Sequence, residues 1–239
     1  MIKLYDSAFS PFARKVRMTL EYKALNYEVV DGLLKSNHAA LKDVNGRIEV
    51  PVLADDGIVV VNSSDIVAYL DYRYPSKTVY PDDPAARVHA RAWERIADTF
   101  VDPILVDISY WKWAERSDKM PDGLIEAARA DLRIVYDALN EELAERQFVS
   151  GPLSIADIAL FPHVECESDG GRVLDSRSPQ PRALAQGSPG AAYLCSRPQA
   201  GESLCRQHEG RGHREATYFL ARRSYRVGVG SRLSRVVFQ

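Results

Sequence analysis

The chain has 239 residues, 46% of them hydrophobic and 27% charged, with 14 Gly and 13 Pro, a composition that excludes whole-chain disorder. No apolar run approaches the roughly 18 to 20 residues of a membrane span, and the start Met1-Ile2-Lys3-Leu4-Tyr5-Asp6 has no basic stretch leading into a long apolar core, so a cytoplasmic chain with no membrane partner is expected. The net charge of -2 and pI near 6.2 argue against a nucleic-acid partner, and Cys166, Cys195 and Cys205 form no CxxC pair, so neither a zinc cage nor a dithiol redox motif is available.

In chain order, Ile2 to Tyr5 reads as a short buried strand, and Ser10-Pro11 opens a helix with Val16, Leu20 and Ala24 at helical spacing. Ser10 is the expected N-cap and Pro11 the expected first helical residue, since a missing N-H costs nothing there. A second strand is expected at Tyr27 to Val30, then a weakly helical segment, Leu33 to Asp43. Val50 to Ala54 and Ile58 to Val61 flank Asp55-Asp56-Gly57 and read as a hairpin. Pro51 can donate no ladder bond and must stand at the strand's start, where a cis Val50-Pro51 bond is one way to turn the chain. Ser63 or Ser64 is expected to cap a helix carrying Ile66, Val67, Tyr69 and Leu70 that stops before Pro75. Strand, helix, strand, helix, hairpin, helix is a mixed sheet with helices on its faces, an α/β unit over residues 1–80.

After Tyr80 the pattern is helical only. Val88, Trp93, Ile96, Phe100, Ile104, Leu105 and Ile108 form one apolar stripe, with a kink expected at Pro103, and Leu124, Ala128, Leu132, Val135, Leu139 and Leu143 form a second. A third helix begins at Ser154-Ile155-Ala156-Asp157, where Asp157 can answer the Ser154 cap and Leu153 and Ile158 can staple the entry. This all-α unit is expected over residues 85–165. From Glu165 on, 75 residues hold 12 Arg, no Lys, no Ile, no Trp and 9 of the 14 Gly, and carry +5, against -7 for residues 1–164. Residues 166–239 are expected to be an atypical Arg/Ser/Gly/Pro-rich tail, mostly irregular and Arg-exposed. A disrupted reading frame is the preferred account and a natural basic extension the alternative.

Two sites invite chemistry. A serine hydroxyl at a helix N-terminus, beside free N-H groups and a partial positive charge, suits an anion such as a thiolate, although on the local sequence alone a plain cap is the favoured account of Ser10. Asn62-Ser63-Ser64 at the next helix start can hold a carboxylate in the same way, with capping again the simpler role. Trp93 is expected in the core. Tyr110, Trp111 and Trp113 lie too close together in sequence for all to face inward, so at least one is expected at a cleft or partner, and His89 and His163 are assigned no chemistry.

Taken together, Ser10-Pro11-Phe12-Ala13-Arg14-Lys15-Val16-Arg17, Glu49-Val50-Pro51-Val52-Leu53, Asn62-Ser63-Ser64-Asp65-Ile66-Val67-Ala68-Tyr69-Leu70 and Ser154-Ile155-Ala156-Asp157-Ile158 resemble the cytosolic glutathione transferase superfamily, serine type, over residues 1–164. The resemblance implies a thioredoxin-like N-terminal domain and an all-helical C-terminal domain, here incomplete after about residue 165. It implies glutathione as co-substrate, no metal, a small electrophilic apolar second substrate and a homodimer. By motif position Ser10 is the hydroxyl that favours the glutathione thiolate, Val50 pairs with the cysteinyl backbone beside cis Pro51, Asn62 and Ser63 grip the γ-glutamyl end, and Lys35 faces the glycyl carboxylate. Asn62 stands where the family usually has Glu, and Glu49 brings a negative charge near an anionic ligand; both weaken the expected affinity. Lowering a thiol from about 8.5 by about 2 units takes ~2.7 kcal/mol, within reach of a helix terminus plus one charge-shared hydrogen bond. Conjugation is the leading function. A non-catalytic interaction module is the alternative, and thiol transfer or disulfide reduction ranks third because no cysteine precedes Cys166.

Overall fold

Four strands, β1 (Ile2–Asp6), β2 (Tyr27–Asp31), β3 (Val52–Asp55) and β4 (Ile58–Val61), form one sheet in the order β2-β1-β3-β4. The computed structural model describes residues 1–113 and 119–165, so the expectations for Trp113's side chain, the three cysteines and the 166–239 tail lie outside the described residues. β2 runs parallel to β1, while β3 is antiparallel to β1 and β4 to β3. The β3–β4 turn has positive φ at both Asp56 and Gly57, the two-residue geometry whose twist matches the strands it joins.

Period-two alternation sorts the sheet's side chains. Leu4 opposite Leu53 faces Val16 and Leu20 of α1 (Pro11–Tyr22) and Ile66 and Leu70 of α3 (Ser63–Arg73); Tyr5 opposite Val52 faces Leu41 of α2 (His38–Asn45). The sheet is thus covered on both faces, the thioredoxin-like arrangement expected. A 3-10 turn, Lys35–Asn37, leads into α2. Ala24 departs from expectation: α1 ends at Tyr22, and Ala24 is exposed with φ 54, past the helix rather than on its buried stripe.

Among the described residues the remaining helices are α4 (Pro84–Ile96), α5 (Asp102–Trp113), α6 (Leu124–Glu142) and α7 (Ile155–Glu165). A π-helical stretch, Ala97–Val101, joins α4 to α5, and the Asp102 N-H donates to the Ala97 carbonyl five residues back. Pro103 therefore brings a widened turn just ahead of it rather than a break, because that turn accommodates a residue with no N-H and a ring crowding the carbonyl four back. The buried stripe running from α4 through the π-helical stretch into α5 is Ala90, Trp93, Ala97, Val101, Leu105 and Ile108. Val88 is 70% exposed, two positions out of phase with Ala90. The α6 residues Ala128, Leu132, Val135 and Leu139 are buried, joined by Tyr136. Described side chains of α7 are buried from Ile155 to His163, as befits a helix enclosed by its neighbours.

Candidate functional site

Strand register gathers the site. Asp6 pairs with Asp31, Tyr5 with Val52, and Val52 with Val61, so the segments leaving β1, β2 and β4 and the one entering β3 emerge at the same end of the sheet. Ser7–Ser10, Gly32, Val50–Pro51 and Asn62–Ser63 meet there, and α1 and α3 both begin there. Two helix N-termini at one sheet end favour bound negative charge through their unpaired N-H groups and dipoles.

Ser10 is the N-cap of α1, in extended backbone, with its Oγ accepting from the Ala13 N-H at 3.2 Å. A hydroxyl has one donor and two acceptor positions, so capping leaves its O-H to donate to a ligand sulfur. The Val50-Pro51 bond is cis; Pro51 is buried and Val50 half-buried. A Cβ on Gly32 would stand 2.5 Å from Val50 Cγ1 and 3.2 Å from the Asp6 carbonyl oxygen, so only glycine lets the β2 exit pass this close to Val50. Asn62, not Ser63 or Ser64, caps α3: its side chain accepts from the Ser64 N-H at 3.1 Å, with φ 70. Ser63 is the first helical residue and is buried. Lys35 is exposed in its 3-10 turn, and Glu49 is exposed with Arg47 at 3.5 Å.

Behind these residues lies a polar cluster that sequence reasoning missed. Lys15, 1% exposed, places Nζ 2.6 Å from Asp98 Oδ2, 3.3 Å from Glu94 Oε1 and 3.2 Å from Ser64 Oγ, and Ser64 Oγ donates to Asp98 Oδ2 at 3.2 Å. Glu94 following Trp93 on the buried stripe of α4 was the available signal, since a carboxylate there needs a buried cation. Nearby, burial, and then the Lys15 and Arg14 charges, hold His163 down at about 4, so it is neutral near pH 7. Burial, and then the Asp98 charge, push Asp102 up to about 6, although Lys15 opposes the rise. His163 Nδ1 lies 3.9 Å from Asp102 Oδ1.

Trp93 is buried, while Tyr110 and Trp111 are half-buried and meet edge to face at 5.3 Å. His89 bridges Ser150 Oγ at 3.0 Å and Glu142 Oε1 at 2.9 Å. Among the described residues no group of His, Cys, Asp and Glu could hold a metal ion, and no helix is long and apolar enough to cross a membrane.

A sheet of this order, with a capping serine and a cis proline at one end and a set of helices following, is a thioredoxin-like fold extended by a helical region. Residues 4–78 match the glutathione S-transferase N-terminal domain. Glutathione S-transferase U7 of Arabidopsis thaliana is 28% identical over 159 residues, 66% of each chain, so this chain spans about two thirds of that relative's length. A glutathione S-transferase structure from Rhodospirillum rubrum F11 superimposes with a TM-score of 0.68 at 25% identity, covering 84% of this chain and 94% of its own. One from Methylobacillus flagellatus KT with glutathione bound gives 0.65 at 26%, covering 81% and 98%. Residues 4–78 thus carry a glutathione S-transferase N-terminal domain, and the chain as a whole is similar to glutathione transferases in sequence and fold.

Proposed function

We propose that this protein conjugates glutathione to a small electrophilic apolar co-substrate, with Ser10 as thiolate stabiliser. The observation that carries the reading is the meeting of the Ser10 cap, the cis Val50-Pro51 bond and the Asn62-Ser63 helix start at one end of the sheet. In this reading residues 1–80 hold glutathione. The Ser10 O-H donates to the sulfur, Val50 pairs its backbone with the cysteinyl unit, the Asn62-Ser63 turn takes the γ-glutamyl carboxylate and Lys35 faces the glycyl end. The thiol proton leaves to water. The sulfur lone pair then forms the bond to the electrophilic carbon, whose leaving group departs with its electrons or whose adduct is protonated by water. Half-buried Tyr110 and Trp111 on α5 offer apolar surface for the second substrate within residues 85–165. The reading includes a cytoplasmic homodimer and no metal.

The test is glutathione-affinity retention and conjugation of an aryl halide. Wild type should be retained, and the Ser10→Ala, Asn62→Ala double variant should lose retention and at least tenfold in kcat/KM. Equal behaviour of the two proteins refutes the reading. A non-catalytic interaction module is favoured by one feature: the Asn62 side chain is spent on its own helix and offers no carboxylate to a ligand ammonium. Titration showing no glutathione binding at millimolar concentration by a folded protein selects it. Glutathione-dependent disulfide reduction ranks below both, because α1 begins with Ser10 and not with a cysteine.

A further inference from the structure

Lys15 is the most completely buried cation near the site, and its position is specific. It lies five residues into α1 from Ser10, and each of its three ammonium hydrogens has an acceptor in reach: Asp98 Oδ2 at 2.6 Å, Glu94 Oε1 at 3.3 Å and Ser64 Oγ at 3.2 Å. Those acceptors sit on the π-helical stretch, on α4 and on the first turn of α3. Ser64 Oγ in turn donates to Asp98 Oδ2 at 3.2 Å, and the Ser64 N-H is held by Asn62 at 3.1 Å. One ammonium thus closes a ring of hydrogen bonds between the helix that starts at Ser10 and the helix that starts at Ser63. A buried ion cluster of this kind brings little net stability, because desolvation offsets the Coulomb attraction, but it holds register when every polar atom is satisfied.

We propose that Lys15, acting through Ser64 and Asp98, is a positioning residue that sets the first turn of α3 against the N-terminus of α1, and so fixes where the γ-glutamyl carboxylate sits relative to the glutathione sulfur. This rests on the conjugation reading for its ligand but not for its geometry. In the conjugation reading the carboxylate subsite is the Asn62-Ser63 turn with the Ser63 N-H and hydroxyl, and the sulfur subsite is the Ser10 hydroxyl; Ser64 stands behind the former, its own N-H and hydroxyl engaged by Asn62, Lys15 and Asp98. No carboxylate at position 62 adds an ion pair to the ligand, so affinity depends on how well these dipoles are aimed. Loosening the ring spreads the orientations of the α3 start and weakens ligand binding, while Ser10 and the co-substrate surface are left in place.

The separating variants are Ser64→Ala, which cuts the bridge and keeps both ion pairs, and Ser64→Thr, which keeps the hydroxyl; Lys15→Met serves as a second probe. In Ser64→Ala the glutathione KM should rise about tenfold with kcat changed less than twofold and the melting temperature within a few degrees of wild type, and Ser64→Thr should restore it. Independently of any ligand, amide exchange at Ser64–Ile66 should quicken about tenfold in Ser64→Ala, with the α6 amides unchanged. Exchange at the α3 start as slow in Ser64→Ala and in folded Lys15→Met as in wild type overturns the proposal. Faster exchange in a protein that binds no glutathione leaves the positioning role standing and refutes the conjugation reading instead.

Discussion

Asp102 and His163 pull stability in opposite directions as pH changes. His163 is depressed from 6.5 to about 4 by burial and the Lys15 and Arg14 charges, so as pH falls from 6.5 to 4 the unfolded chain takes up a proton that the folded one refuses, and stability drops. Asp102 is raised from 3.8 to about 6. Its folded carboxyl keeps a proton that the unfolded chain releases, so its contribution is full below 3.8 and is lost as pH rises toward 6. The two shifts are of similar size and opposite sign, so they oppose one another across this window. Removing one partner should expose the other. Urea midpoints of Asp102→Asn should fall more steeply from pH 6.5 to 4 than those of wild type, which keeps the opposing Asp102 contribution. A profile in Asp102→Asn no steeper than that of wild type would mean that His163 does not stay neutral in the fold.

Element ends follow local chemistry closely. Ser10 with Pro11, and Asp83 with Pro84, open α1 and α4, each cap accepting from the N-H three residues on. The strongest example is the start of α7. Asp157 Oδ2 accepts from the Ser154 N-H at 2.9 Å and from Ser154 Oγ at 3.0 Å, and its Oδ1 accepts from the Val149 N-H at 2.9 Å, so one buried carboxylate satisfies both the helix entry and the preceding loop. Asp157→Ala should cost about 3 kcal/mol, since it orphans buried donors as well as losing bonds to a charged group. Chemical denaturation measures this directly, and a loss below ~1 kcal/mol would place the loop's anchorage elsewhere. Lys23 does comparable work at the end of α1, where its Nζ meets Asp71 Oδ1 at 2.9 Å and the Ser76 and Lys77 carbonyls at 3.1 and 3.2 Å. It ties down the segment that leads toward α4.

At the scale of the molecule, the sheet's outer strand is apolar and uncovered: Ile58, Val59 and Val61 of β4 are exposed, as are Tyr72 on α3 and Val88 on α4. An uncovered edge strand and large exposed side chains are what a second copy would bury, which supports the proposed homodimer. Sedimentation velocity at tens of micromolar should give a dimer, and Tyr72→Glu together with Val88→Glu should shift it to monomer. A clean monomer of wild type defeats the prediction.

Much of this was legible in the residues alone. The strand and helix order, the hairpin around Asp55-Asp56-Gly57, the Ser10 cap and the Ser154–Asp157 box all depend on groups within a few positions of one another, and spacing and turn chemistry express such short-range preferences directly. The four motifs pointed to the family, and the likeness over residues 4–78 agrees. Three readings failed where a neighbour in space intervened or a helical phase was misjudged by one or two positions: Ala24 past the end of α1, Val88 on the wet side of α4, and Asn62 rather than a serine capping α3. The Lys15 ring joins residues 49 to 83 positions apart. No local pattern specifies it, because a lysine on α1 reads as solvated until packing buries it against acids from another part of the chain. What the sequence determined by itself was therefore what each segment does. What only the tertiary structure decided was which charges are driven out of water together, since the cost of desolvating a charge depends on every element packed around it.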